Sequence, residues 1–305
     1  MNFHEIEVNV PASSGNIGSG FDCVGIAVDI WNKITLTQDI NSSKPPTIKY
    51  SGEKSYKKIP NQDNLTLIQL KNFIDNNING ISINCNNNIP LSRGLGSSSA
   101  AIAAGLLLGS TLKNQQKTSL EKLIEIGINE EGHPDNIAPT MIGGCVISVL
   151  NNKEWGFSKV SIAEDLNVII YIPEMEFETK KSRSLLNPLI DRKNAVFNIG
   201  RVALLINSLN NKEYSLLKLA TQDMIHQDAR LENFKEMKYI LNSGLDAGAL
   251  SGFVAGSGPS IMFFSKGREM TIKYELLECA RKHNLKGRVI ITKPTNKGAY
   301  IKVKK

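Results

Sequence analysis

Residues Pro90 to Ala101 read PLSRGLGSSSAA and open onto the apolar, alanine-rich stretch AAIAAGLLLG. Gly94 and Gly96 let a backbone turn tightly, while Ser97, Ser98 and Ser99 bring free amides and hydroxyls to the start of a helix. A helix start carries unpaired N–H groups and the positive end of the dipole, so an anion is its natural occupant and a polyphosphate fits best. The loop is not a Walker A, because no Gly-Lys-Ser/Thr follows the glycines. Alone, the stretch also reads as a glycine-rich turn capping a buried helix.

Two further glycine-rich segments, PASSGNIGSGFDCVG from Pro11 and AGSGPS over Ala255 to Ser260, are hard to explain as turns alone. Between them lies EEGHPDNIAPTMIGG, Glu130 to Gly144, with a histidine beside a proline and several carboxylates. Taken singly, Asp22 reads as a cap for the next element and His133 as a loop histidine.

The elements that must position these residues follow from periodicity. Ile6, Val8 and Val10 alternate with polar residues as a first strand, followed by the glycine-rich segment and the apolar VGIAVDIW. ITLTQ, TIKY and ISINC read as further strands, and Asp63 to Asn76 has the spacing of a helix with one apolar face. Helices are expected over Ser98–Leu112 and Ser119–Asn129, the second capped by Thr118 or Ser119. GGCVISVL and VIIYIP read as buried strands. In the second half, helices are expected over Ala195–Leu209, Tyr214–Thr221, Phe234–Ser243 and Met270–His283. Strands are expected over Gly252–Ala255, Ile261–Phe264, Arg288–Thr292 and Ala299–Val303. Strands and helices mix without strict alternation, which predicts an α+β layering and not a doubly wound sheet.

A chain of 305 residues suits two domains, and the boundary is placed at 160, giving 1–160 and 161–305. At 41% hydrophobic and 21% charged the composition is that of a soluble globular protein, and no segment reaches the apolar length of a membrane span. The net charge of +7 is scattered over short lysine pairs without interleaved aromatics, which argues against nucleic acid and suits a nucleotide or phosphorylated metabolite. Cys23, Cys85, Cys145 and Cys279 have no paired spacing, so they are expected to be free thiols in a reducing, cytoplasmic compartment.

With these motifs in hand, the chain resembles the GHMP kinase superfamily and, within it, the homoserine kinases, over nearly its whole length. The resemblance implies a two-domain GHMP fold, with an N-terminal domain like ribosomal protein S5 domain 2 and a C-terminal ferredoxin-like α/β sandwich. It makes Pro90, Leu91, Ser92, Arg93, Gly94, Leu95, Gly96, Ser97, Ser98, Ser99 and Ala100 the ATP phosphate loop. Ser98 would also touch Mg2+, a role that can coexist with capping a helix. For the Mg2+ carboxylate both Glu125 and Glu131 stand open; Glu125 is preferred because a rigid helix places a ligand better than a fraying end.

The first motif lacks the lysine that sugar and mevalonate members carry, and reads NIGSGFD as homoserine kinases do. By resemblance, Asp22 would pair with the amino group of L-homoserine and Asn16 would bond near its reacting end. EGHPDN followed by AP and GG makes His133 a pocket residue. FETKKSRSLLNP places Thr179 and Arg183 at the substrate, and HQDAR places Arg230 where an arginine takes the substrate carboxylate. A planar guanidinium can hold a carboxylate with two parallel hydrogen bonds. The residues flanking Arg230 depart from the family pattern, as does Ala255, where a serine is common.

The implied reaction is ATP-dependent phosphorylation of the side-chain hydroxyl of homoserine on the threonine pathway, with no residue assigned as general base. The alternatives are a GHMP kinase for another small alcohol and a non-catalytic nucleotide-binding protein. AGSGPS is expected to brace the phosphate loop and adenine to meet loops around residues 52–65. A homodimer is compatible with this reading.

Overall fold

Alternation buries Ile6, Val8 and Val10 in the first strand, β1 (Glu5–Asn16). The strand does not stop at Val10 as the sequence suggested. It runs on through PASSGN, because residues 9–16 are buried and continue to pair antiparallel with β2 (Gly20–Gln38). The computed structural model describes residues 5–53, 56, 59–74, 78–113, 118–177 and 179–304, with Thr179 and Lys180 described in backbone only.

The long strand β2 takes up both VGIAVDIW and ITLTQ. β3 (Thr47–Gly52) lies parallel to β4 (Ile81–Asn87), and α1 (Leu65–Phe73) makes the crossover that a parallel pair requires. Its N-cap, Asn64, accepts the Leu67 N–H at 2.9 Å. Next come α2 (Ser97–Lys113), α3 (Leu120–Glu131) and α4 (Ile137–Ile142), of which α2 and α4 pack on β1 and β2. β5 (Cys145–Asn151) and β6 (Glu154–Val160) form a hairpin that joins the sheet where β5 pairs with Val24–Ile26 of β2.

The second half gives β7 (Asn167–Pro173), α5 (Thr179–Ser184), α6 (Arg192–Asn211), α7 (Leu217–Ala220), α8 (Gln227–Leu231) and α9 (Met237–Asp246). β8 (Ser251–Val254), β9 (Ile261–Ser265), α10 (Glu269–Lys282) and β10 (Gly287–Thr292) follow. Its strands form an antiparallel sheet in the order β10-β7-β9-β8, the ferredoxin-like arrangement. The last strand, β11 (Tyr300–Lys304), returns to the first sheet and pairs with β1, so a cut at residue 160 does not separate the two sheets. The two halves also share a core. Along β7, Val168, Ile170 and Ile172 join the main apolar cluster, while Ile169 and Tyr171 face the cluster that includes Ile272 and Leu276 of α10.

Four elements escaped the sequence: the short helices α4, α5 and α8, and the strand β6. Pro139 lies within α4, but in the first turn, where its missing N–H has no helical partner to lose. β6 (EWGFSKV) buries only Val160 fully, with Trp155 and Phe157 half-buried against the core, and is held in the sheet by pairing with β5. Among the described residues no helix is long and apolar enough to cross a membrane.

Candidate active site

The three glycine-rich segments and the HPDN turn converge on a cavity of about 250 Å3. At one end the walls are backbone. Gly94 and Gly96 take φ of +72° and +68°, the left-handed region that favours glycine. A Cβ on Gly94 would lie 1.9 Å from the Ala255 carbonyl oxygen, and one on Gly96 would lie 2.2 Å from Ser13 Oγ. The loop therefore presses against the AGSGPS segment and β1 with only glycine's clearance. The first α2 bond runs from the Ala100 N–H to the Gly96 carbonyl at 2.9 Å. Ser97, Ser98 and Ser99 line the cavity at the helix start, where the first N–H groups lack helical acceptors.

Glu131 ends α3 beside this turn, because Gly132 follows at φ +81° and stops the helix with a left-handed cap. Ser99 Oγ donates to Glu131 Oε2 at 2.6 Å, and Ser98 adds a second hydroxyl. Burial pushes the Glu131 carboxyl above its ordinary 4.5, against the pull of His133 and the serines. A carboxylate with two hydroxyls beside a helix start is a set of hard oxygen donors, the kind a magnesium ion takes.

The other end is built from side chains. Asn16 and Asp22 adopt φ of +71° and +55°, rare for residues with a Cβ. Asn16 holds this turn by accepting the Asp22 N–H at 3.1 Å and donating to the Gly256 carbonyl at 3.0 Å. Arg183, on α5, donates to Asp22 Oδ1 at 2.5 Å. Arg230, on α8, is buried, and its Nη1 donates to the Gly256 carbonyl at 2.6 Å. Burial lowers its pKa to about 10, which leaves it charged at neutral pH. The Phe21 ring lies beside both guanidinium groups, 5.9 Å from that of Arg183 and 5.7 Å from that of Arg230.

Between the two ends, His133 Nδ1 lies 2.7 Å from Asp135 Oδ1. Burial opposes protonation of His133, but the hydrogen bond and charge of Asp135, with Glu131 beyond, outweigh it and hold the pKa above 6.5.

Comparison with known proteins gives this arrangement its family. Residues 64–144 match the GHMP kinases N terminal domain and residues 204–288 the GHMP kinases C terminal domain. A homoserine kinase of Clostridium botulinum (strain 657 / Type Ba4) is 38% identical over 266 residues, 84% of this chain and 85% of that protein. The homoserine kinase of C. botulinum strain Eklund 17B / Type B is 32% identical over 300 residues, 97% of this chain and 98% of that one. The chain belongs to the homoserine kinase family of GHMP kinases. The crystal structure of homoserine kinase from Cytophaga hutchinsonii superposes with a TM-score of 0.85 at 27% identity, covering 98% of this chain and 97% of that one. The GHMP fold, with its α+β layers and ferredoxin-like second sheet, is therefore the one the motifs implied.

Within the family fold, the cavity brings together Asn16, Asp22, Ser92, Gly94, Gly96, Ser97 to Ser99, Glu131, His133, Arg183 and Arg230. Other residues sit differently from expectation. Glu125, preferred for magnesium, is not on the cavity wall and pairs with Lys122 at 3.0 Å. Glu125 and Glu131 are six residues apart, roughly 120° around the helix, so one helix cannot aim both at the cavity. Leu95, Ala100 and Pro90 are buried. Leu91 is absent from the cavity wall, and its carbonyl accepts from Arg93 Nη1 at 2.6 Å.

Arg93, expected at the phosphates, spends its guanidinium elsewhere: Nε donates to the Pro173 carbonyl at 3.1 Å and Nη1 pairs with Glu176 at 3.1 Å. It ties the loop to the end of β7. Thr179 opens α5, but its side chain lies outside the described residues. Sequence reasoning passed over Asp135, Phe21 and His226. The i, i+4 spacing of His226 and Arg230 was the available signal for the last.

Proposed function

We infer that this chain transfers the γ-phosphoryl group of ATP to the side-chain hydroxyl of L-homoserine, giving O-phospho-L-homoserine on the route to threonine. The observation that carries the reading is the polarity of the cavity. Serine amides and a helix start stand at one end, and a carboxylate with two arginines at the other. A zwitterionic alcohol spans such a site: its ammonium takes Asp22, its carboxylate takes Arg183 and Arg230, and its hydroxyl lies towards the loop. The Asp22–Arg183 pair then exchanges one ion pair for two with the substrate. Asn16 and His133 border the acceptor, and Thr179 belongs to the same set by its place in the sequence.

Phosphoryl transfer asks the protein for positioning and charge stabilisation more than for covalent help. The amides of Gly94 to Ser99 cradle the phosphates. Ser98 and Glu131 are the residues that would hold Mg2+, which when bound supplies neutralisation of phosphate charge. Asp22 is spent on an ion pair, so we assign no general base, and the proton leaves to phosphate or solvent. A pH–rate profile with one essential base, abolished by a single carboxylate substitution, would overturn that assignment. The base of ATP is assigned to a neighbouring cavity of about 750 Å3 that borders the loop at Pro90 and Arg93 and includes Gly52 and Glu53. Residues 54, 55, 57 and 58 of the segment expected to meet adenine lie outside the described residues. A cytoplasmic setting is supported by four free cysteines, two of them, Cys85 and Cys145, pushed up to about 12 by burial.

The test is ATP consumption by the purified protein with homoserine, serine, threonine and mevalonate, repeated with Arg183→Ala. Homoserine-dependent turnover, with preference lost but nucleotide binding kept in the variant, is the expected result. Preference for mevalonate, or no acceptor-dependent turnover, would replace this reading with another GHMP kinase or a nucleotide-binding protein.

A further inference from the structure

His226 is 1% exposed and is not on the wall of the 250 Å3 cavity, yet it touches two residues that shape its acceptor end. Its Nε2 lies 2.7 Å from the Gly18 carbonyl, which can only accept, so the proton sits on Nε2. Its Nδ1 lies 3.0 Å from Arg230 Nη1, which can only donate, so Nδ1 offers a lone pair. The two contacts define one neutral tautomer, and a second proton would set N–H against N–H. Burial acts in the same direction and lowers the His226 pKa to about 4.

The opposing group, Asp223, has Oδ1 3.8 Å from Nε2. Its oxygens are committed to the N–H groups of His226 and Gln227 and to Asn198 Nδ2. The His226 ring also stacks on Phe21, with centroids 5.3 Å apart.

Arg230 Nη1 has two hydrogens and two acceptors, the Gly256 carbonyl and His226 Nδ1. Arg230 Nε is buried and has no hydrogen-bond partner among the described residues. Resting on the acceptor reading above, we propose that His226 is a positioning residue. By taking one Nη1 hydrogen it sets the roll of the Arg230 guanidinium, so that the acceptor's carboxylate meets the Nε–Nη2 side. Phe21, gripped by the same imidazole, keeps the two arginines at a fixed separation.

The test compares L-homoserine with 3-aminopropan-1-ol, which keeps the amine and hydroxyl but lacks the carboxylate, in wild type, Arg230→Ala, His226→Phe, His226→Asn and His226→Gln. Phe keeps a ring against Phe21 without an acceptor; Asn keeps an acceptor near Nδ1; Gln reaches towards Gly18 without one. In His226→Phe and His226→Gln the KM for homoserine should rise about tenfold with kcat and the KM for ATP little changed. The preference for homoserine over the amino alcohol should fall in step, and His226→Asn should restore most of it.

Equal losses on both acceptors, or an Asn variant no better than Gln, would overturn the positioning role. That role fails alone if Arg230→Ala abolishes the preference while the Phe and Gln variants keep it. If Arg230→Ala itself keeps the preference, the carboxylate assignment fails and the positioning role with it. A Phe variant that does not fold leaves the Asn–Gln pair to decide.

Discussion

The two ends of the cavity are made in different ways. The end proposed for phosphate is built on the backbone of one stretch of chain, shaped by Gly94 and Gly96 at positive φ and by the first turn of α2, with the Glu131 carboxylate of α3 beside it. The acceptor end is side chains gathered from afar: Arg183 reaches Asp22 across 161 positions, and His226 reaches Gly18 across 208. A backbone cradle depends on having no side chain in the way, and it tolerates little change in shape. A side-chain pocket depends on charges meeting, and single substitutions can alter its selectivity without collapsing it. The first is a matter of fit, the second of pairing.

The largest expected effect falls on the backbone end. Gly94→Ala forces a Cβ towards the Ala255 carbonyl at φ +72°, and neither backbone can give way cheaply. Strain and overpacking together should cost about 3 kcal/mol or more in urea unfolding. A variant within about 1 kcal/mol of wild type, or one more stable as replacing glycine makes an unstrained position, would show that the loop is not held by fit.

Glu131→Gln comes next. Losing the carboxylate beside Ser98 and Ser99 should lower kcat roughly 100-fold and weaken magnesium dependence. Glu125→Gln, on another face of α3, should stay close to wild type. Equal losses would return the metal to the position preferred from sequence.

At the acceptor end, Arg183→Ala removes a charge-assisted partner worth about 2 kcal/mol, roughly 30-fold in kcat/KM for homoserine. ATP binding by calorimetry should be unchanged. If ATP affinity falls equally, the two ends are not separable.

The smallest effect is in acid. The folded protein keeps His226 neutral down to about 4, whereas the unfolded chain takes the proton near 6.5. Below 6.5 the unfolded state therefore binds more protons, and stability falls as pH falls towards 4. One pH unit below 6.5 this amounts to about 1 kcal/mol. His226→Asn should remove that part of the slope in denaturant titrations at pH 6.5 and 5.5. An unchanged slope would mean the histidine is not held neutral.

Much of the fold was legible because its signals are local. Ile6, Val8 and Val10 alternate, the stretch after Ser97 is rich in alanine and leucine with no proline, and Ser119 caps α3 by accepting the Lys122 N–H at 3.2 Å. The continuation of β1 through PASSGN was not legible, because its only support is pairing to β2 and burial by other elements. The same holds for the return of β11 to β1 across the molecule. In the site, the serine loop could be read from composition, but choosing Glu131 over Glu125 required the rotation of α3 about its axis. Arg93 looked like a phosphate ligand from its place in the loop, and only the approach of β7 gives its donors other acceptors.

The sequence by itself determined the family, the glycine-built loop before α2 and the charged residue types of the motifs. Those properties follow from local sterics and from the identity of charged groups. The tertiary structure decided which carboxylate faces the serines, that Asp22 and Arg183 hold each other, and that a neutral His226 grips Arg230. Each of these depends on direction across a long sequence separation, and hydrogen bonds and ion pairs depend on direction as much as on residue type.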